Sequence, residues 1–416
     1  MPAIPKDRLP DSSLALLREG YRFIPNRIQE FGSDIFGARL MLRRAMCVHG
    51  ADAAEMFYQE GNFTRVGAMP PTTLRLLQDK GSVQALDGRD HRYRKAMFMR
   101  MMTPEAIQQM LETVDRAWQE AIIEWVGKDQ IVFLDEAERI LTRAAAEWAG
   151  IPLGPRNTER RRKELGAMVA GAGSIGPTMW KALLLRQRSE RWARAVIRGV
   201  RSGKIDAPEH SPVKRIASHQ EPNGDPLSEN DASVELLNIL RPSVAVAYYF
   251  VHMAHALDRY PESRRLAASP YNCDREQFVQ EVRRFYPFFP FIGGVALQDI
   301  RWKGVEIRKG QWVLLDLYGT NHDPRAWDNP DSFDPGQMNS WDGSAFSLIP
   351  QGAGEFETGH RCPGEWITIA LMKQAAQMLT TCITYSVPEQ DLSISMNEFP
   401  AVPASGFVMQ DVKPAD

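Results

Sequence analysis

Helical periodicity dominates the pattern of hydrophobic and polar positions along this chain of 416 residues. From about residue 89 to residue 203, apolar side chains recur at helical spacing among Ala, Glu, Arg, Leu and Met, which predicts an α-rich half. Residues 233–260 are apolar almost all round. That pattern predicts one long helix, roughly 40 Å in length at ~1.5 Å per residue, that crosses a hydrophobic core.

Shorter stretches of alternating polarity predict small β-sheets near both ends of the chain. Residues 35–49 alternate partially, and the segment VEIRKGQWVLLD at 305–316 has the composition of short strands. Residues 218–231, rich in Pro, Gly and Asn, predict a surface loop before the long helix. Because neither a repeat nor a linker interrupts the sequence, we expect a single mainly α domain with small β-sheets over residues 1–416.

Composition narrows the class of protein. Hydrophobic residues make up 44% of the chain and charged residues 25%, which suits a globular protein with a sizeable core. The formal net charge of -2 provides no basic field for nucleic acid, so a small or apolar substrate is expected. Residues 1–34 lack a basic stretch followed by an apolar run, which predicts an N-terminal segment that is not a membrane anchor. We therefore expect a cytoplasmic protein without integral membrane contact.

The segment around Cys362 carries the main candidate chemistry. The four cysteines, at positions 47, 273, 362 and 382, form no CxxC pair, so neither a zinc site nor a redox dithiol is indicated. In SLIPQGAGEFETGHRCPGEWITI, Cys362 follows a glycine-rich loop and precedes a predicted apolar helix. Unpaired backbone N–H groups at a helix start stabilise a thiolate. Taken alone, however, a buried core cysteine is the commoner explanation.

Three further motifs accompany this cysteine. In EVRRFYP, Glu281 and Arg284 are spaced i and i+3 and share one helix face. The loop-like segment NHDPRAWDNPDSFDP spans residues 321–335, and the basic segment DHRYRKAMF spans residues 90–98. In their order along the chain, these motifs resemble those of the cytochrome P-450 superfamily of haem-thiolate enzymes. The resemblance extends from about residue 35 to residue 405.

The resemblance implies a fold, a cofactor and several residue roles. It implies a single-domain P-450 fold, with haem b between the long central helix and the helix after the cysteine loop, and Cys362 as axial iron ligand. Glu281 and Arg284 would be buried structural partners without chemistry. The residues implied to bind the cofactor are His91, Arg94, Lys95 and Arg361. A solvated basic helix face is the alternative explanation for the first three.

The chain departs from the common superfamily pattern at two places. The stretch from glycine to the ligand, GHRC, is one residue shorter than usual, so the cysteine loop is remodelled. The middle of the long helix carries Arg241 and Pro242 where an acid and an alcohol normally deliver protons, and the nearest upstream acid is Glu235. A buried arginine without a partner costs several kcal/mol, and a proline inside a helix costs ~3 kcal/mol. An internal carboxylate is one candidate partner of Arg241.

Together with GHRCPGEWITI, the pair Arg241 and Pro242 resembles the fatty-acid peroxygenase family of that superfamily. The resemblance implies that Arg241 binds the carboxylate of a long-chain fatty acid, for which a planar guanidinium is suited. The carboxylate would then be the acid-base group for hydrogen peroxide, so neither an acidic side chain nor a redox partner would be required. A carboxylate anchored near the iron implies hydroxylation at the α or β carbon.

Other positions of the family pattern are occupied by Gln84 and by apolar residues. Relatives with histidine at the position of Gln84 release terminal alkenes, so glutamine favours hydroxylation, although a bond to a distal water would also suit it. The apolar residues implied to line a channel for the fatty-acid tail are Leu77, Val169, Phe288, Phe289 and Phe291. Plain core packing explains apolar residues at least as well.

Three alternatives to a peroxide-driven hydroxylase stay open at this point. The same residues would suit a decarboxylase that releases terminal alkenes. They would also suit a monooxygenase that depends on a redox partner and uses Arg241 for another purpose. A non-catalytic protein that binds haem or lipid is the alternative from a different functional class.

Overall fold

Helices make up most of the computed structural model, which describes residues 4–415. The α-helices in this range are α1 Ser13–Glu19, α2 Phe23–Phe31, α3 Ala51–Tyr58, α4 Pro71–Leu77, α5 Gly88–Met99, α6 Pro104–Trp125, α7 Phe133–Trp148, α8 Pro155–Ala170, α9 Pro177–Arg201, α10 Pro212–Ala217, α11 Glu229–Arg259, α12 Arg264–Ala267, α13 Asn272–Phe285 and α14 Glu365–Gln377. The predicted helical half and the predicted long helix are confirmed. Of the predicted domain, residues 1–3 and 416 lie outside the described residues.

Short strands form three small sheets in the described residues, as predicted. The strands are β1 Ile35–Leu40, β2 Arg43–Val48, β3 Phe63–Thr64, β4 Gln130–Val132, β5 Phe291–Ala296, β6 Ile300–Trp302, β7 Val305–Ile307, β8 Trp312–Asp316, β9 Ile383–Ser386 and β10 Val408–Pro414. The largest sheet has the order β1-β2-β8-β5-β3, with β2 and β8 parallel. The second sheet has the order β4-β10-β9, and β6 pairs with β7. The main sheet thus joins strands from the N-terminal part of the chain with strands at 291–316.

The long helix α11 runs through the hydrophobic core. It begins where the Ser228 hydroxyl accepts a hydrogen bond from the backbone N–H of Asp231 at 3.0 Å. Apolar side chains such as Leu237 and Phe250 are fully buried, and each contributes about 1.5–3 kcal/mol to stability. By length and composition α11 would also suit a membrane span, but 94% of its most apolar window is buried inside the protein. We therefore identify α11 as a core helix.

Pro242 lies inside α11, and the helix continues on both sides of it. Proline has no N–H to donate to the carbonyl of Asn238 four residues earlier, so one helical hydrogen bond is missing there. The hydroxyl of the next residue, Ser243, donates to the carbonyl of Ile239 at 2.9 Å. This irregular turn faces the cavity described below, which places the weakest part of the helix beside the functional site.

The pair Glu281 and Arg284 ties α13 to the segment at 321–335. The Nε and Nη2 atoms of Arg284 donate to the Glu281 carboxylate at 2.6 and 2.7 Å. The same guanidinium donates to the backbone carbonyls of Asn321, Pro330 and Ser332 at 2.8–3.1 Å. Neither side chain is exposed to solvent. Both charges are therefore compensated inside the protein.

Candidate active site

A large internal cavity lies between α11 and the loop that carries Cys362. Its volume, including its open mouth, is about 1580 Å³. Among residues 4–415 no aspartate or glutamate lines it, whereas the cationic or titratable side chains of Arg65, Arg241 and His360 do. The cavity thus favours an anionic occupant with apolar parts.

Cys362 reaches this cavity from the loop immediately before α14. The backbone N–H of Cys362 donates to the carbonyl of Gln351 at 3.2 Å, and the Gln351 side-chain amide donates to the Cys362 sulfur at 3.8 Å. Burial raises the pKa of the thiol, whereas a hydrogen bond from the Gly364 N–H acts to lower that pKa. A bound metal cation would deprotonate the thiol, since a coordinated thiol loses its proton.

The remodelled cysteine loop depends on two glycines. Gly352 and Gly354 have φ of +94° and +79°, the left-handed region that favours glycine. A Cβ atom at these positions would lie 2.6 and 3.0 Å from atoms of Tyr58. The loop can therefore approach α3 closely only with glycine at both positions.

Arg241 extends from the irregular turn of α11 into the cavity. One of its Nη atoms donates to the backbone carbonyl of Leu77, and its Nε has no hydrogen-bond partner. Burial lowers the pKa of Arg241, and the nearby positive charge of Arg186 lowers that pKa further. Within the described part of the chain, no carboxylate oxygen lies within 4 Å of this guanidinium. The internal carboxylate considered as its partner is therefore absent from these residues.

The other polar side chains near Arg241 are occupied by hydrogen bonds. The Asn238 amide donates to the Gln84 carbonyl oxygen at 3.4 Å and to the Glu235 carboxylate at 3.0 Å. Gln84 and Asn238 line the cavity, whereas the fully buried Glu235 does not. The Ser243 hydroxyl also lines the cavity, but its proton is donated within the helix. No acidic side chain in the described residues is therefore placed to exchange a proton with a ligand there.

Arg94 binds protein carboxylates instead of facing the cavity. Its Nη1 donates to Glu235 at 2.9 Å and to the carbonyl of Gly81 at 3.2 Å, and its Nη2 contacts Glu221. Two carboxylates thus compensate its charge. These contacts are those of a structural residue, and the prediction that Arg94 binds the cofactor stays a prediction.

Three other basic residues predicted to bind the cofactor lie together at the cysteine loop. Lys95 donates from Nζ to two backbone carbonyls of this loop, and burial lowers its pKa to about 8. The His91 ring lies against that of His360, tilted by 32° with centroids 3.9 Å apart, and burial lowers the pKa of His91 to about 4. Arg361 pairs with Glu365 at 2.6 Å. Among the described residues, Lys95 has no carboxylate within 4 Å, so its ammonium group can still receive an anion.

Aromatic side chains form much of the apolar wall. Phe288, Phe289 and Phe291 line the cavity together with Leu77, and their role as a channel for a substrate tail stays a prediction. Phe288 stacks on Tyr249 of α11 with ring centroids 4.4 Å apart. The remaining predicted residue, Val169, is 4% exposed and packs in the main hydrophobic core near the end of α8, and its place along a substrate channel stays a prediction.

Sequence reasoning missed most of the polar residues of the cavity, among them Tyr58, Arg65, Gln351 and His360. The Arg65 guanidinium donates to the carbonyl of Gly293 at 2.8 Å and lies 5.1 Å from the ring centre of Tyr58. No motif marks Arg65 or Tyr58, because their place depends on the pairing of β3 with β5. Gln351 and His360 belong to the cysteine loop, and that position was the signal that could have identified them.

The lining suits a planar apolar cofactor that contains iron and carries anionic substituents. The Cys362 thiol is a soft donor of the kind that binds haem iron. Apolar side chains cover the walls on both sides of this thiol, including Ala245, Val246 and Ile367. The half-buried Arg65 and the buried Lys95 lie beside the same loop with no carboxylate within 4 Å in the described residues. Anionic substituents of the cofactor would compensate these charges.

Comparison with known sequences finds one superfamily over part of the chain. The profile of the family Cytochrome P-450 matches residues 261–408. The curated relative Cytochrome P-450 84A4 of Arabidopsis thaliana is 29% identical over 27% of this chain and 22% of its own length. The steroid 17-alpha-hydroxylase/17,20 lyase of Oryzias latipes is 33% identical over 38% of this chain and 29% of its own length. Each match thus covers less than a third of the curated relative's own length.

Comparison with solved structures extends over the whole chain. Cytochrome P-450SP alpha (CYP152B1), in complex with (R)-ibuprophen, is 44% identical over 97% of this chain and 99% of its own, with a TM-score of 0.94. Cytochrome P-450EX alpha (CYP152N1), with myristic acid, is 38% identical over 100% of both chains, with a TM-score of 0.95. A variant of cytochrome P-450 OleT with arachidonic acid is 32% identical over 100% of this chain and 99% of its own, with a TM-score of 0.96. The predicted P-450 fold and the predicted class of haem-iron oxidoreductase are confirmed, and the chain belongs to the CYP152 family of the cytochrome P-450 superfamily, the family of fatty-acid peroxygenases.

Proposed function

We propose that this protein uses hydrogen peroxide to hydroxylate long-chain fatty acids at the α or β carbon, with haem b bound through Cys362. The observation that carries the proposal is Arg241, a buried guanidinium at the cavity with no carboxylate within 4 Å in the described residues. The proposal treats residues 1–416 as one cytoplasmic catalytic domain. It requires neither a redox partner nor integral membrane contact.

The carboxylate of a fatty acid is the partner that Arg241 lacks. A buried charge without a partner costs several kcal/mol, and a bound carboxylate offsets this cost. The guanidinium presents two parallel N–H donors to the two oxygens of a carboxylate. Its single bond to the Leu77 carbonyl leaves Nε unpaired and available for such a pair. The relatives with myristic acid and arachidonic acid support a fatty acid as the substrate class.

The substrate carboxylate also supplies the proton-transfer group. No acidic side chain lines the cavity in the described residues, and the Ser243 hydroxyl donates to its own helix. A carboxylate oxygen held by Arg241 can accept a proton from hydrogen peroxide and return it to the oxygen that leaves as water. Arg241 therefore has two roles, anchoring the substrate and positioning its proton-transfer oxygen. Pro242 keeps this turn of α11 open beside the ligand.

Cys362 and its neighbours hold the cofactor. When bound, the haem supplies the oxidising iron, and the electron density of the Cys362 thiolate favours cleavage of the peroxide O–O bond. The Gln351 amide and the Gly364 N–H hydrogen-bond the sulfur and fix its orientation. Lys95, with His91 and Arg361 beside it, is proposed to bind the anionic substituents of the haem.

The position of hydroxylation follows from the anchoring of the substrate at one end. With the carboxylate fixed on Arg241, the α and β carbons are the first carbons available to the oxidant. The apolar tail would lie against Leu77 and the aromatic residues Phe288, Phe289 and Phe291, which exclude water. Gln84, whose amide carbonyl accepts from Asn238, has no imidazolium proton to donate and therefore favours hydroxylation over loss of the carboxyl group.

One experiment separates this proposal from its alternatives. The haem-loaded protein is incubated with a saturated long-chain fatty acid and hydrogen peroxide, without any reductase, and the products are separated by mass spectrometry. We expect α- or β-hydroxy acid from the native chain and much less from Arg241→Met. Terminal alkenes as the main product would instead identify a decarboxylase. Product only with a reductase and NADPH would identify a monooxygenase, and no product in any condition would leave a binding protein.

A further inference from the structure

The turn between β1 and β2 has a backbone conformation that its residues rarely adopt. Leu40 pairs with Arg43, so Met41 and Leu42 form a two-residue hairpin loop. Their φ values are +50° and +61°. Such a turn needs positive φ at both positions and strongly favours Asn-Gly, because a larger side chain brings Cβ too close to the carbonyl oxygen. Met and Leu therefore oppose this turn instead of stabilising it.

The same two side chains are exposed to solvent, Met41 by 54% and Leu42 by 74%. The backbone N–H of Met41 donates to the Ser13 hydroxyl at 2.6 Å, which brings the start of α1 beside the hairpin tip. Three further exposed leucines belong to this N-terminal part, and with the tip they form the hairpin patch: Leu9, Leu14, Leu17, Met41 and Leu42. A cluster of exposed large apolar residues marks an interaction surface, since neither folding nor solubility accounts for it.

Positive charge surrounds the hairpin patch. Arg39, Arg43 and Arg44 flank the two-residue loop, and all three are exposed. Within residues 4–415, none of their guanidinium groups has a carboxylate oxygen within 4 Å. The acid at the tip, Asp11, accepts hydrogen bonds from the backbone N–H groups of Ser13 and Leu42. An apolar tip with an arginine collar has the chemistry of a segment that rests on an anionic lipid surface.

The hairpin patch is connected to the active-site cavity. The Arg43 Nη1 donates to the carbonyl of Gly67 at 2.7 Å. On either side of Gly67, the side chains of Arg65 and Met69 line the cavity, while Val66 is 55% exposed. The segment at 65–69 therefore runs from the hairpin tip to the cavity wall, so a surface that docks at the tip lies next to the cavity.

We propose that the hairpin patch docks the protein on the surface of an anionic lipid bilayer, with Met41 and Leu42 inserted among the headgroups and the arginine collar on the lipid phosphates. This inference goes beyond the proposed function and does not require it, because docking is measured without substrate. Docking would place the cavity beside a phase in which apolar carboxylic acids accumulate.

The test measures binding of the haem-loaded protein to vesicles by cosedimentation. Vesicles of phosphatidylglycerol and phosphatidylcholine in equal parts are compared with vesicles of phosphatidylcholine alone. We expect binding to the anionic vesicles that weakens in high salt. For Met41→Asn/Leu42→Gly we expect binding to fall about tenfold or more, because two inserted apolar side chains are lost. For Arg44→Gln we expect a decrease of about fivefold, since one collar charge is removed.

The hairpin variant also carries its own folding control. Asn-Gly suits the positive φ values, so Met41→Asn/Leu42→Gly should melt at a higher temperature than the native chain while it loses vesicle binding. Opposite changes in the two measurements exclude unfolding as the cause of lost binding. The matched charge control is Arg301→Gln in β6, an exposed arginine of another hairpin, which should bind vesicles as the native chain does.

Three results would overturn the docking proposal. The first is that the native protein binds neither kind of vesicle. The second is that Met41→Asn/Leu42→Gly binds as tightly as the native chain. The third is a dimer in gel filtration that the same variant converts to a monomer while vesicle binding is absent, which would assign the hairpin patch to a second copy of this chain.

Discussion

Two buried arginines in this protein differ in what surrounds them. Arg284 in α13 is fully buried and donates to the Glu281 carboxylate and to three backbone carbonyls. Arg241 in α11 is 7% exposed, donates to one carbonyl, and has no carboxylate within 4 Å in the described residues. Both guanidinium groups are removed from water, but only that of Arg284 is compensated by the protein itself.

This difference assigns one arginine to the fold and the other to the ligand. A buried charge with all its partners present holds segments together, as Arg284 holds α13 to the segment at 321–335. A buried charge without such partners lowers stability until a ligand binds. Charges of this kind are typical of functional sites. The free energy that Arg241 costs in the empty protein can be recovered as binding energy for an anion.

The largest effect is expected when the compensated pair is broken. Arg284→Met leaves the buried Glu281 carboxylate without its charged partner, which costs about 3–5 kcal/mol of unfolding free energy. Denaturant unfolding followed by circular dichroism measures this loss. The double variant Glu281→Leu/Arg284→Met removes both charges and should recover part of the stability. A single variant as stable as the native chain would show that this pair does not stabilise the fold.

Arg241→Met should have the opposite effect to Arg284→Met, because it should reduce activity and not stability. Arg241→Met removes a buried charge without stranding a carboxylate, so the unfolding free energy should stay equal or rise. Hydroxylation of a long-chain fatty acid should fall by about a hundredfold or more, since anchor and proton-transfer geometry are lost together. Initial rates with hydrogen peroxide measure the activity, and denaturant unfolding measures the stability.

A rescue experiment adds a control to this variant. A small apolar substrate has no carboxylate of its own. A short carboxylic acid added with it should allow the native chain to oxidise that substrate, because Arg241 can bind the added carboxylate. In Arg241→Met the added acid should have little effect. Equal fatty-acid activity in both proteins would contradict the proposed role of Arg241.

Much of this contrast could be predicted from the sequence, because the motifs involved are local. The spacing of Glu281 and Arg284, the pair Arg241 and Pro242, and the loop of Cys362 each lie within one segment. Local motifs predicted the family and the fold class correctly. They could not predict which charges are compensated, since that depends on residues that are distant in sequence.

Arg94, Val169 and Arg65 show where sequence reasoning stops. The basic segment at 90–98 suggested an anion site, but the Glu235 partner of Arg94 is 141 positions away and was known only as an acid of another helix. Val169 has the residue type of a channel lining, but its place depends on how the end of α8 packs in the core. Arg65 reaches the cavity only because β3 pairs with β5. Long-range packing decided all three positions.

A smaller change in the unfolding free energy is expected when a bound ligand compensates the charge of Arg241. A saturating long-chain fatty acid binds the folded protein only, so at a hundred times its dissociation constant it should add ~2.7 kcal/mol to the unfolding free energy. Thermal unfolding of the haem-loaded protein, with and without the acid, measures this gain. Arg241→Met should show little of it, and the matching fatty alcohol should give a smaller gain in the native chain. An equal gain from the acid and the alcohol would mean that the tail alone determines binding.

Glu138 lies between these two extremes, and its effect on the unfolding free energy should depend on pH. Its buried carboxylate shares the Arg162 guanidinium with Asp135 and Glu159, and burial raises its pKa from 4.5 to about 7. Since the folded state then holds a proton that the unfolded state releases, the unfolding free energy should fall as the pH rises from 4.5 to about 7. The slope is at most about 1.4 kcal/mol per pH unit, and Glu138→Gln should lack this contribution. Parallel pH profiles of the two proteins would mean that Arg162 compensates Glu138 as fully as Glu281 compensates Arg284.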